Sequence, residues 1–132
     1  MATGQVITTS GRLILLDRGF KATPDKTAPT LFKVGTGTTT PTVSDTDLET
    51  PVDIDGDNFK SFLTGYPVVD STTIQATTRC FLSSLEANGN TLTEFGLVNT
   101  DGTKLLFNRA VHSPISKSAS IEVTYKQKDT LI

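Results

Sequence analysis

Residues 52 to 59, VDIDGDNF, place aspartates at every second position, Asp53, Asp55 and Asp57, with Gly56 between the last two. Alternating oxygen donors beside a glycine are what a calcium loop supplies, since Ca2+ takes roughly six to eight oxygens and helix-flanked calcium loops draw them from alternating positions. Counted from Asp53, the sixth position of such a loop, which needs glycine, holds Asn58, and the twelfth, which needs a bidentate glutamate, holds Thr64. The flanks, Pro51 and NFKSFLTGYPVV, do not read as paired helices. The three aspartates are therefore weak metal candidates, and the stretch is expected to be a turn at Asp55-Gly56 with solvated carboxylates.

The other residues capable of chemistry are sparse. GTGTTT, residues 35 to 40, is glycine-rich like a phosphate loop, but no lysine follows and neither nucleotide fingerprint has its spacing, so it reads as a turn. His112 is the single histidine and stands near Pro114 at a strand end, without a second histidine for a metal or a flanking nucleophile and acid. Cys80 is the lone cysteine, set in the apolar run CFLSSL, and is expected to be a small core residue. No catalytic residue and no cofactor are expected, and the chain does not read as an enzyme.

The elements that carry these residues are mostly strands. A chain of 132 residues is the size of one domain, and its heavy loading of β-branched threonine favours strands and polar turns. The fold class expected is mainly β, an antiparallel β-sandwich with one short N-terminal helix. Residues 1–20 form an arm and helix, 21–58 are Gly/Thr-rich connections that include a short TLFKV strand, and 59–132 form the antiparallel β core. The helix is expected over GRLILLDRGF, capped by Ser10 and stopped by Gly19, and Ser44 to Glu49 are expected to make a helical turn.

Asn88-Gly89 and Asp101-Gly102 are two-residue loops of the kind that close tight hairpins, and counting outward from each fixes a register. Leu85 then faces Leu92, Ser83 faces Glu94, Phe81 faces Gly96 and Arg79 faces Val98; beyond the second loop Val98 faces Leu105, Gly96 faces Phe107, Glu94 faces Arg109 and Leu92 faces Val111. The two counts agree on a three-stranded meander. One face carries Phe81, Leu85, Leu92, Val98, Leu105, Phe107 and Val111, with Gly96 beneath two phenylalanines and Glu94 opposite Arg109 as a structural ion pair that sets register. The other face carries Cys80, Leu82, Phe95, Leu97 and Leu106, so both need covering, one by a second sheet and the other by the helix or another chain.

A net charge of -2 without a basic cluster beyond KQK at 126 to 128 gives no footprint for nucleic acid. No apolar run approaches the roughly 20 residues of a membrane span, and the N-terminus lacks the pattern of a signal peptide. Neither nucleic acid nor membrane is expected as a partner.

The order of SGRLILLDRGF, LFKVGTGTTTPTVSDTDLET and LTEFGLVNTDGTKLLFNRAVHSPISKSASIEVTYK resembles a small virion module of tailed bacteriophages, found in tail-fibre and tail-collar proteins and related baseplate components. The shared pattern runs from the helix through GTGT-x-P-x-x-x-DT-x-L-x-x-E to an E-x-GL strand, an arginine strand and a P-I-x-K turn. The resemblance implies a non-enzymatic virion part, made in the host cytoplasm, that joins copies of itself, by family resemblance as a trimer, and other tail proteins. Because the chain ends at Ile132, a small adapter, collar, baseplate or decoration protein is expected rather than a whole fibre. A capsid decoration protein or a surface-glycan-binding module is the alternative, although with no tryptophan and only Tyr66 and Tyr125 the chain is poor in the aromatics a sugar site uses. Leu13, Ile14, Leu15 and Leu16 spread around the helix, and with Leu131 and Ile132 they exceed what one small sandwich can cover; all six are expected at contacts to like subunits or to a neighbouring tail protein.

Overall fold

The computed structural model describes residues 5–130. In chain order the elements are β1 (Gln5–Ile7), α1 (Thr9–Phe20), β2 (Pro29–Gly35), β3 (Lys60–Ser61), β4 (Val68–Asp70), β5 (Gln75–Leu82), β6 (Thr91–Asn99), β7 (Leu106–Ser116) and β8 (Val123–Thr130). They build two antiparallel sheets, one of five strands in the order β1-β7-β6-β2-β3 and one of three in the order β4-β5-β8, so the fold is mainly β and sandwich-like with one helix. The core between the sheets includes Phe32, Val34, Cys80, Leu82, Leu92, Phe95 and Leu97. The β core thus reaches outside 59–132, because β2 lies between β6 and β3 and β1 pairs with β7.

The helix starts earlier than its sequence suggests. Thr8, not Ser10, is the N-cap: its hydroxyl accepts from Gly11 N–H at 3.0 Å and donates to the Leu106 carbonyl at 2.5 Å, so one buried side chain caps α1 and ties it to β7. Gly19 does not stop the helix, which runs to Phe20 before Lys21 turns extended. Of the four apolar residues expected at subunit contacts, Ile14 is instead 1% exposed and packs into the core, whereas Leu13, Leu15 and Leu16 face solvent. Leu131 and Ile132 lie outside the described residues.

Two of the expected pairings are corrected. β5 does not pair with β6; it crosses to the other sheet, where Arg79 is opposite Lys126 and Phe81 opposite Thr124. The Asn88-Gly89 segment is a corner between sheets rather than a tight hairpin: positive φ falls on Ala87 and Gly89, the Ala87 N–H bonds to the Ile54 carbonyl and the Gly89 N–H to that of Lys117. Crossing lets the apolar inner faces of β5 and β6 bury each other, which neighbours in one sheet cannot do. Leu85 is left 83% exposed, away from the face assigned to it.

β6 and β7 do pair, but the register differs. Gly96 lies opposite Arg109, Glu94 opposite Val111 and Val98 opposite Leu106, with irregularities between Leu97 and Val98 and between Leu92 and Glu94. The cause is Asn99, whose buried side-chain oxygen accepts from the Asp101 and Leu105 N–H groups and whose amide donates to the Thr27 carbonyl, organising a loop longer than two residues. The slip is two residues at Glu94, an even number, so Glu94 and Arg109 keep to one face as a diagonal pair. Gly96 lies under Leu48 and Leu106 rather than under two phenylalanines: a Cβ there would sit 3.0 Å from each leucine and 2.6 Å from the Asn108 carbonyl. The outer face of the five-stranded sheet holds Leu31, Val98 and Leu106 and is covered by Leu48 and Phe59, so the long connection after β2 does what was expected of a helix or a second chain.

Candidate functional site

The first part of that connection, residues 36–50, closes on itself. Thr36 N–H bonds to the Thr50 carbonyl at 3.0 Å, Val52 N–H to that of Val34 at 3.0 Å, and Gly35 bridges to Pro51. No helical turn forms over Ser44 to Glu49; Thr42 and Asp45 make a turn in which the Asp45 carboxylate accepts the Thr42 N–H and hydroxyl. The loop is strung from one buried side chain beneath it.

That side chain is Glu94, 0% exposed. Its Oε1 accepts from Glu49 N–H at 2.9 Å and from Arg109 Nε at 2.8 Å, and its Oε2 accepts from Gly37 N–H at 2.9 Å and Thr50 N–H at 2.7 Å. Converging backbone N–H groups on a glycine-rich loop form an anion cradle. Here the anion is the chain's own carboxylate. The glycines permit the approach: a Cβ on Gly35 or Gly37 would lie 2.5 or 2.6 Å from Glu94 Oε2.

Arg109, 2% exposed, is the cationic half. Besides Glu94 it reaches Asp45 Oδ2 from Nη1 at 3.1 Å, and its Nη2 lies 3.9 Å from Glu49 Oε1. Burial pushes the Asp45 carboxyl up, but the Thr42 N–H and hydroxyl and the Arg109 charge outweigh it and hold the carboxyl below its ordinary range. Glu49 is held low chiefly by the Thr39 hydroxyl and N–H, then by the Thr38 N–H and Arg109. Beside this hub, Lys33, 6% exposed, pairs with Asp47 at 3.0 Å.

A carboxylate has about four acceptor sites, and Glu94 fills them all from within the chain. It has no lone pair left with which to take a proton from a bound molecule. The arrangement is suited to holding a loop.

The other candidates lie apart from the hub. In the acidic stretch Asp53 Oδ2 accepts the Gly56 N–H at 3.1 Å, Gly56 has φ +87° and Ile54 is buried, while Asp53, Asp55 and Asp57 are exposed. Among the described residues no three His, Cys, Asp or Glu side chains are grouped to hold a metal. Cys80 is 0% exposed, and burial pushes its thiol up to about 12. His112 lies within β7, not at its end, and uses both ring nitrogens, Nε2 on the Tyr125 hydroxyl at 2.9 Å and Nδ1 on the Ser113 carbonyl at 2.8 Å. Tyr125 stacks on Phe95 with centroids 4.4 Å apart, and the three rings line an open groove of about 810 Å3 between β7 and β8.

The charge pairing of Glu94 and Arg109 was readable from strand order. The roles of Asp45, Glu49 and Gly37 were not, although all three stand in the GTGTTTPTVSDTDLET segment, whose signal was spacing without a stated purpose. Comparison of the chain with protein-family models, with curated proteins and with solved structures finds no match.

Proposed function

We propose that this chain is a non-enzymatic structural component of a tailed-bacteriophage virion, a small tail, baseplate or fibre-adapter protein that assembles with copies of itself and with neighbouring tail proteins. One observation carries the reading. The residues on which the resemblance rests, the GTGT segment, Asp45 of the DT pair, Glu49, Glu94 of the E-x-GL strand and Arg109 of the arginine strand, meet around the buried Glu94–Arg109 pair. A motif that folds into a clasp around one carboxylate whose acceptor sites are all filled from within the chain supports a scaffold role, and that saturated carboxylate speaks against hydrolysis as the purpose. No helix among the described residues is long and apolar enough to cross a membrane.

Purified particles of a phage encoding this chain should contain it at a fixed copy number related to the symmetry of the tail. Quantitative mass spectrometry of particles tests this, and absence from the particle, or a trace amount that varies between preparations, overturns it.

A further inference from the structure

KQK at residues 126 to 128, which the clasp does not use, folds into β8 with Lys126 and Lys128 exposed on one face and Gln127 buried on the other. The exposed face is the outer one of the three-stranded sheet. β5 brings Arg79 to it, directly opposite Lys126, and Thr77 opposite Lys128. Tyr66, just before β4, closes the far side: the Arg79 guanidinium carbon lies 5.8 Å from its ring centroid. With Val68 these residues line an open recess of about 290 Å3.

The charges of this recess are unbalanced. Among the described residues no carboxylate forms an ion pair with Arg79, Lys126 or Lys128, and Arg79 Nε is buried without a hydrogen bond. Of the described residues that line the recess only Asp70 is acidic, and its carboxylate already accepts the Thr72 and Thr73 N–H groups at 2.8 and 3.4 Å. Lysines on an edge strand guard it against pairing with another chain, which accounts for Lys126 and Lys128 on β8. It does not account for Arg79, which stands on the central strand β5 against Tyr66 and opposite Lys126, although like charges set directly opposite destabilise a sheet.

We propose that the recess binds a phosphate group, with Arg79 donating from its two Nη groups and Lys126 and Lys128 each donating from Nζ to the remaining oxygens. Three cations and the Asp70 carboxylate leave an excess of two positive charges. A phosphate ester at neutral pH, with a charge of about −1.5 to −2, cancels that excess, whereas a single carboxylate does not. The planar fork of an arginine matches two phosphate oxygens, and lysines add point charges beside it.

The test is calorimetric titration at neutral pH with inorganic phosphate and, separately, with methyl phosphate, the ionic strength held constant with sodium chloride. The proteins are the wild type, Arg79→Gln, Lys126→Gln and, as a control on an exposed cation elsewhere, Arg12→Gln. The expected result is one saturable site in the wild type and in Arg12→Gln, with Kd raised about tenfold or more in the two recess variants. In chloride alone Lys126→Gln should melt no lower than the wild type, because it removes one of two opposed like charges, so its lost affinity is not a lost fold. No saturable binding of either probe to the wild type, equal affinity in all four proteins, or a loss in Arg12→Gln as large as in the recess variants overturns the proposal. Methyl phosphate bound at least as tightly as inorganic phosphate assigns the recess to a phosphate ester, and weaker binding assigns it to the free ion. Phosphate affinity and copy number in the particle are separate measurements, so the recess and the virion reading fail separately.

Discussion

A charge pair with 2% and 0% exposure is a different object from one on the surface. Exposed pairs contribute up to about 1 kcal/mol, whereas removing one member of a buried pair leaves a stranded charge and costs about 3–5 kcal/mol. Arg109→Ala should therefore destabilise the protein by an amount in the upper range, read from urea unfolding. Arg109→Lys should recover only part of the loss, because one ammonium cannot reproduce the fork by which the guanidinium holds both Glu94 and Asp45. A loss below about 1 kcal/mol for the alanine variant would mean that water reaches the hub and that the clasp contributes little.

Within α1, two glycines look equivalent by propensity and are not. Glycine in a helix interior costs about 1 kcal/mol relative to alanine, so Gly19→Ala, where an added methyl meets nothing within 4 Å, should stabilise by about 0.5–1 kcal/mol. Gly11 lies where the helix crosses β7, and a Cβ there would fall 2.1 Å from the Phe107 carbonyl oxygen. Gly11→Ala should therefore destabilise despite its better propensity, as backbone on backbone cannot give way without undocking the helix. Thermal melts of the two variants should move in opposite directions. If both rise, the helix is not held against β7 as closely as described.

Across the whole molecule, the two sheets are joined at one end by a polar contact. Asp129 of β8 accepts from Asn108 of β7 at 3.0 and 3.1 Å and from Gln5 of β1 at 3.2 Å, which links the three-stranded sheet to the five-stranded one. Burial raises the Asp129 carboxyl above its ordinary range, and the hydrogen bonds from Asn108 and Gln5 only partly offset this. The folded state then binds that proton more tightly than the unfolded chain, so stability falls as pH rises from about 4 through the raised value. Asp45 and Glu49, held low, act the other way: their contribution is present above the ordinary carboxylate range and is lost as pH falls through their depressed values. Asp129→Asn should flatten the decline in melting temperature above about pH 4 and leave the loss at lower pH in place. A variant with the same slope as the wild type above about pH 4 would show that Asp129 is not the group responsible.

The strand-rich composition, the one helix and the nearness of Glu94 to Arg109 were determined by local chemistry: β-branched residues prefer strands, and an even slip in register preserves the face of a side chain. The reading of Cys80 as a small core residue also came from residue type and spacing alone. What only the tertiary structure decided was which sheet each strand joined, because a turn sequence such as Asn88-Gly89 allows a hairpin, while the burial gained by stacking β5 over β6 is a property of the assembled core. In the same way Thr8 displaced Ser10 as the cap because its hydroxyl also reaches the Leu106 carbonyl. Ile14 parted from its neighbours because docking on β7 selects one side of a helix whose apolar residues point in every direction. The clasp was the least legible part, since backbone N–H groups of residues 37, 49 and 50 carry no signature in the sequence and become a site only when the chain brings them around one buried carboxylate.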